Sequence, residues 1–185
     1  MTIKPLTSGV VLGVLLLAGG AGALEHAVLE TRILLFDETM QRTRPADERQ
    51  TFYDGQRFRL NVRSAQDGYL YALCLTSQGT VKLLHPSDSS DNHLQSGRSA
   101  TFPQTGWFRF DQEPGTEDLY LILSGRKIAE LDQAAEDGTD LSRAVLHRYI
   151  SSPPRQGGAS ASGIDVVAGP SRTVQHIGLR HEPRE

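Results

Sequence analysis

The segment Arg57-Phe58-Arg59-Leu60-Asn61-Val62-Arg63 alternates polar and apolar side chains without a break. Successive side chains of an extended strand point to opposite faces, so the pattern buries Phe58, Leu60 and Val62 and turns the arginines to water. The chain is committed to β-structure here, with one face on a core. Shortly afterwards Tyr69-Leu70-Tyr71-Ala72-Leu73-Cys74-Leu75 is apolar at every position but for the tyrosine hydroxyls. That is the pattern of a central strand covered on both faces.

The same reading extends along the first two thirds of the chain. Val28 to Phe36 predicts an earlier strand with Leu29, Ile33 and Leu35 on one face. Ser77-Gln78-Gly79 turns the chain into Thr80 to Leu84, a hairpin. Ser99 to Phe102, Trp107 to Phe110 and Leu119 to Leu123 supply further short strands, separated by Pro103, Gly106, Pro114 and Gly115. The fold class expected is mainly β: an antiparallel sandwich or partly open barrel, with two short helices before a C-terminal strand. Phe58, Leu60, Tyr71, Leu73, Leu121 and Leu123 are expected to share one core.

The period changes in the helical segment 127–150. Ile128, Leu131 and Ala135 fall on one side of a first helix; Leu141, Val145 and Tyr149 mark a second, with Asp140 as its expected cap. Pro153-Pro154 ends it, residues 153–163 form a small-residue flexible loop, and 164–180 supply the last strand or hairpin. The helices are expected to cover one open face of the sheet. Residues 24–185 are read as one β-rich domain.

The first 23 residues follow a different logic. Lys4 precedes the short apolar run Val10 to Ala18, and Ala21-Gly22-Ala23 offers small residues where a signal peptidase reads them. A spanning helix needs about 20 apolar residues, and this run is shorter. Residues 1–23 are therefore expected to be a signal peptide, placing the protein in the periplasm or outside the cell. Cys74 is the sole cysteine, so no internal disulfide can staple the fold. The formal charge is −3, or −4 once Lys4 is removed with the signal. That balance gives no reason to expect nucleic acid as a partner, although a local basic patch can sit within such a total.

An ordered set of motifs carries a family resemblance. Tyr53-Asp54-Gly55-Gln56-Arg57-Phe58 comes first, then Asp67-Gly68-Tyr69-Leu70-Tyr71, Ser77-Gln78-Gly79 and Val81 to Pro86. Gly97, Phe102-Pro103 and Pro114-Gly115-Thr116-Glu117 follow, and the last apolar strand ends at Ser124. In this order they resemble the bacterial domain-of-unknown-function family 4384 (DUF4384) over a core of 53–124. The resemblance implies an exported, all-β accessory module and no established reaction. Two positions depart from the family pattern: Leu84-His85-Pro86-Ser87 stands where an aromatic precedes Pro-Asn, and Gln56 stands where an acid is common.

A search for chemistry returns little. Cys74 lies between Leu73 and Leu75 and reads as a small packed hydrophobe. None of His26, His85, His93, His147, His176 and His181 forms a pair at the i, i+4 spacing of a helical metal site, and they are expected at the surface. Residues 158–163 miss the nucleophile-elbow pattern because Ser162 stands where glycine is required. Asp88 and Asp91 have the wrong spacing for a calcium loop and are read as part of a solvated hairpin loop. Trp107 could stack on a sugar or peptide, against packing as the plainer role. No catalytic, cofactor-binding or metal residues are assigned, and no cofactor. The expected function is a non-catalytic binding or interaction module of the bacterial envelope. Its partner would be another envelope or secreted protein, with no nucleic acid and no membrane span after signal cleavage. The alternative is a periplasmic hydrolase whose site assembles only in the fold.

Export should remove the signal next to Ala23. N-terminal sequencing of the exported protein is expected to begin near Leu24, and a product retaining Lys4 would contradict it.

Overall fold

The computed structural model describes residues 28–47, 49–87, 91–151, 164–169 and 172–184. The signal-peptide reading of residues 1–23, the loop 153–163 and Asp88 lie outside them.

Two separate sheets face each other without closing into a barrel, which makes the fold the sandwich of the two expected alternatives. One sheet is built on β1 (Leu29–Asp37), which pairs antiparallel with β2 (Arg42–Ala46) on one side and β4 (Arg57–Ser64) on the other. β8 (Ser99–Phe102) and the short β9 (Phe108–Arg109) continue along the far side of β4. The second sheet runs β11 (Ile164–Gly169), β12 (Arg172–Glu182), β10 (Gly115–Ser124), β5 (Gly68–Leu75) and β6 (Val81–His85). The two-residue β3 (Phe52–Tyr53) and β7 (His93–Leu94) join it at β12 and β5. The β3–β12 pairing is parallel.

The alternation in β4 works as its sequence requires: Phe58, Leu60 and Val62 are buried between the sheets. Leu29, Ile33 and Leu35 of β1 meet them, and Leu70, Ala72, Leu119, Leu121, Leu123, Ile177 and Leu179 complete this core from the opposite sheet. β2 was not expected. Its sequence Arg-Thr-Arg-Pro-Ala has no apolar phase, and four of its five residues are exposed. Backbone pairing to β1 alone makes it a strand.

The expectation of one core is corrected to two. Tyr71 and Leu73 point away from the inter-sheet core, and with Val81, Ile122 and Val174 they receive α1 (Ala129–Asp137) and α2 (Arg143–Ile150) through Leu131 and Leu146. Period-two alternation dictates this: a strand apolar on both faces must serve two different layers. The helices cover one face of the seven-stranded sheet, as expected.

Polar tips tie these helices down. α1 starts after Ile128, which has no capping side chain of its own. The buried Tyr71 hydroxyl accepts the Ile128 N–H at 2.8 Å and donates to the Asp132 carboxylate at 2.9 Å. A tyrosine on the central strand thus caps a helix end that would otherwise leave a bare donor. α2 is capped by Ser142, whose hydroxyl accepts from the Val145 N–H. The expected cap, Asp140, is displaced because Leu141 is still extended, donating its N–H to the Val81 carbonyl at 2.8 Å.

Gly68 also has a different reason from a tight turn. A Cβ there would lie 2.9 Å from both the Leu123 side chain and the Ser124 carbonyl, so β5 can approach β10 only without one. Pro86 and Pro103 directly follow the last residues of β6 and β8, as strand-ending prolines should. No helix among the described residues is long and apolar enough to cross a membrane.

Leu73→Ala and Leu121→Ala each remove a fully buried leucine, one per core. Each is expected to cost about 2–5 kcal/mol in urea unfolding. Arg59→Ala should cost less than about 1 kcal/mol, the scale of one exposed cation–π contact. Equal destabilisation by all three would refute the facing assigned to these strands.

Candidate functional site

Two regions collect chemistry. The first is the outward face of the five-stranded sheet, on which no described element packs. Because β4 turns Phe58, Leu60 and Val62 inward, Arg57, Arg59 and Arg63 face out. The β1–β4 register sets Leu34 opposite Arg59, Arg32 opposite Asn61 and Glu30 opposite Arg63. On the other side Arg109 lies opposite Arg57. The Arg57 guanidinium stacks 4.3 Å from the Phe36 ring centre, and that of Arg59 4.4 Å from the Trp107 ring. Phe36 and Trp107 are themselves in contact at 5.1 Å. The result is a continuous ladder Arg57–Phe36–Trp107–Arg59. Each rung is worth about 0.5–1 kcal/mol, and the Arg59 Nε–H is further held by the Gly106 carbonyl at 2.8 Å, which fixes the plane of its guanidinium. Glu30 and Glu38 lie 3.5 Å from Arg63 and Arg57, partly exposed pairs that water screens. Trp107, a packing residue on the plainer sequence reading, is half-buried within this ladder.

The second region closes one end of the inter-sheet core. Glu117 on β10 and His181 on β12 keep the inward phase of their apolar neighbours Leu119, Leu121, Ile177 and Leu179. Both are buried, His181 to 1 % exposure. Asp54 reaches His181 from the turn after β3: its Oδ1 lies 2.8 Å from Nε2, and the Asp111 carbonyl lies 3.2 Å from the same nitrogen. Two acceptors around Nε2 require that it carry a proton. Nδ1 is sealed from water and has no hydrogen-bond partner. One ligand-capable atom each from Asp111, Glu117 and His181 lies within 4.8 Å of the other two. Cys74 borders the group, its thiol donating to Glu117 Oε2 at 3.5 Å.

Backbone bonds stitch this end together. Asp54 N–H donates to Glu182, Gly55 N–H to Phe110, and Phe110 N–H to Gln56. Gly55 takes a left-handed φ of 74° that favours glycine. The Gln56 amide oxygen accepts the Tyr53 N–H at 3.0 Å, so it supplies the acceptor that an acid would offer at that position.

Burial shifts two groups here. Desolvation, then the charge and hydrogen bond of Glu117, push the Cys74 thiol far above its ordinary range. Cys74 is the inert residue its apolar neighbours suggest. Glu117 is raised above the ordinary carboxylate value, mainly by burial and against the lowering effect of the Cys74 hydrogen bond.

The histidine expectation needs correction. His181 and His85 are buried: His181 sits in the inward phase of β12, and His85 stacks on an aromatic ring. His85 stacks on Phe102 at 4.5 Å. His176 is half-buried, 2.8 Å from Asp118 and stacked on Tyr120. His93 and His147 are exposed, as expected; His26 lies outside the described residues. In the polar loop, Asp91 accepts the His93 N–H and Asn92 is buried, donating to the Leu70 carbonyl, which is turn chemistry.

Residues 51–127 match the family model of DUF4384, a domain of unknown function. The match encloses the 53–124 core read from the motifs. No curated protein and no solved structure matches the chain.

Glu117 fixes the sign of one pH effect. A carboxyl whose pKa is raised by folding stabilises the folded state below its ordinary value of 4.5, and that contribution is lost as pH rises through the folded pKa. In chelator-treated buffer, Glu117→Gln should gain stability relative to the parent as pH climbs above about 4.5, read by urea unfolding across pH. A constant difference at every pH would refute the buried-acid assignment.

Proposed function

We propose that this chain is an exported, non-catalytic binding module of the bacterial envelope, whose contact surface is the outward face of the five-stranded sheet. The observation that carries the reading is the Arg57–Phe36–Trp107–Arg59 ladder on a face left open by the described elements. A chain with a formal charge of −3 gathers Arg32, Arg57, Arg59, Arg63 and Arg109 on one sheet face, with two aromatic rings among them. Arginine and aromatic residues are the anchors that dominate protein interfaces. A flat face with forked donors and ring edges fits an acidic, aromatic-bearing segment of another envelope or secreted protein.

The competing reading, a hydrolase assembled only in the fold, has the His181–Asp54 pair in its favour. Neither ring nitrogen of His181 touches a hydroxyl or thiol, and the Cys74 thiol is held protonated next to Glu117. A general base without a nucleophile in reach does not make an acyl-transfer site.

The test uses a glutamate–tyrosine copolymer as probe. Binding should weaken steeply with added salt, and Arg59→Glu with Arg63→Glu should lower affinity at least tenfold while circular dichroism stays unchanged. Equal binding by the reversed variant, or no binding by the parent, would overturn the assigned face. A peptidase, esterase and glycosidase screen of the same protein is expected to give no turnover.

A further inference from the structure

We propose that Asp111, Glu117 and His181 form a divalent-cation site at the closed end of the sandwich, with Asp54 as the residue that orients the histidine. The site is separate from the arginine face, and it rests on three observations.

The first is the donor set. One imidazole nitrogen and two carboxylates, gathered within 4.8 Å, are the ligand types of zinc or manganese. The second is the state of His181. Its side chain is fully buried, yet Nδ1 has no partner, whereas buried ring nitrogens are ordinarily hydrogen-bonded. With Nε2–H given to the Asp54 carboxylate and the Asp111 carbonyl, the neutral ring leaves its lone pair on Nδ1. In that tautomer Nδ1 is the ring nitrogen able to ligate a metal. A carboxylate behind a ligating histidine is the arrangement that fixes its ring and raises its basicity. The third is where the acids sit. Glu117 is buried against the apolar inter-sheet core, beside the Cys74 thiol and with no cationic side chain bonded to it. A bound cation would neutralise both it and Asp111.

Geometry sets what must move. Ligand atoms of a tetrahedral ion at about 2.0–2.1 Å lie about 3.3 Å apart, so the three groups must draw in by at most about 1.5 Å. Asp111 is the free member: it is exposed, and only its bond from the Glu113 N–H, 3.0 Å, holds its carboxylate. His181 and Glu117 are fixed by their strands. The ion would therefore pull the Asp111 loop onto the end of the core. Three protein ligands leave a further position for water or for a donor from outside.

The test is equilibrium dialysis of the full chain against zinc, and separately manganese, read by elemental analysis, with thermal unfolding as a second readout. One ion per chain is expected, together with a raised unfolding temperature that chelator reverses. Asp111→Asn changes an exposed residue and should fold; it is expected to weaken binding at least tenfold and to abolish the thermal shift. Asp54→Asn, which keeps the size but not the charge behind His181, should weaken binding roughly 10–100-fold. Failure of the parent chain to bind either ion, or binding and thermal shift undiminished in Asp111→Asn, would overturn the site. Copolymer binding by the arginine face is read in chelator, so the two proposals fail separately.

Discussion

Ala72 and Leu73 are neighbours in the chain and serve different cores, and the architecture hangs from that division. Ala72 faces the five-stranded sheet and Leu73 faces the helices; across the β5–β10 pair, Leu121 and Ile122 repeat the arrangement. Each fully buried leucine or isoleucine contributes about 1.5–3 kcal/mol from leaving water, so this pair of strands collects burial on both sides at once. The outer strands collect it on one side only. The requirement has a cost, since a residue as large as Tyr71 placed on the helix side brings a hydroxyl into the interior. That hydroxyl is matched to one of the donors that the start of α1 leaves open, the Ile128 N–H. Packing of the helical layer and satisfaction of its first turn are thereby one event.

Sequence patterning revealed the strands whose burial has a period. β4 alternates, β5 is apolar throughout, and the helical phase after Ile128 is plain; each appears where its period places it. β2 and the first residues of β10 do not announce themselves. Arg42 to Ala46 gains its conformation from pairing with β1, and Gly115 to Asp118 is polar because it crosses the closed end of the core. The same patterning marks which residues are buried without separating two cores, since a two-faced strand looks identical whichever layers cover it.

The sites were less legible than the fold, for two different reasons. Outward arginines on β4 follow from alternation, but their stacking on Phe36 and Trp107 depends on the fit of β1 against β4 and on the loop carrying Gly106, 47 residues from Arg59, which no local pattern encodes. The histidine cluster depends on contacts between Asp54 and His181 and between Asp111 and His181, separated by 127 and 70 residues. Ligand-spacing motifs describe neighbours on one helix or loop, so they are silent here. One signal was present: Glu117 and His181 fall in the inward phase of strands that are otherwise apolar there. A polar residue in a core phase requires a partner, and that demand points toward a site before any geometry is known.

The segment matched by the family model does not close its own structure. Within 51–127, β10 has β5 on one side, and its other edge is taken by β12, along a register running from Gly115–His181 to Ser124–Arg172. Removing β12 would leave β10 with an open ladder of donors and acceptors, which is both unsatisfied and adhesive. It would also strip Asp54 of His181 and leave β3 without a strand to join. Asp54 belongs to the first motif of the family segment, and its partner lies in the last strand of the chain. The polar turn that opens the matched region is therefore a latch onto residues well beyond it, and the buried end of the sandwich, with whatever it binds, exists only when both are present.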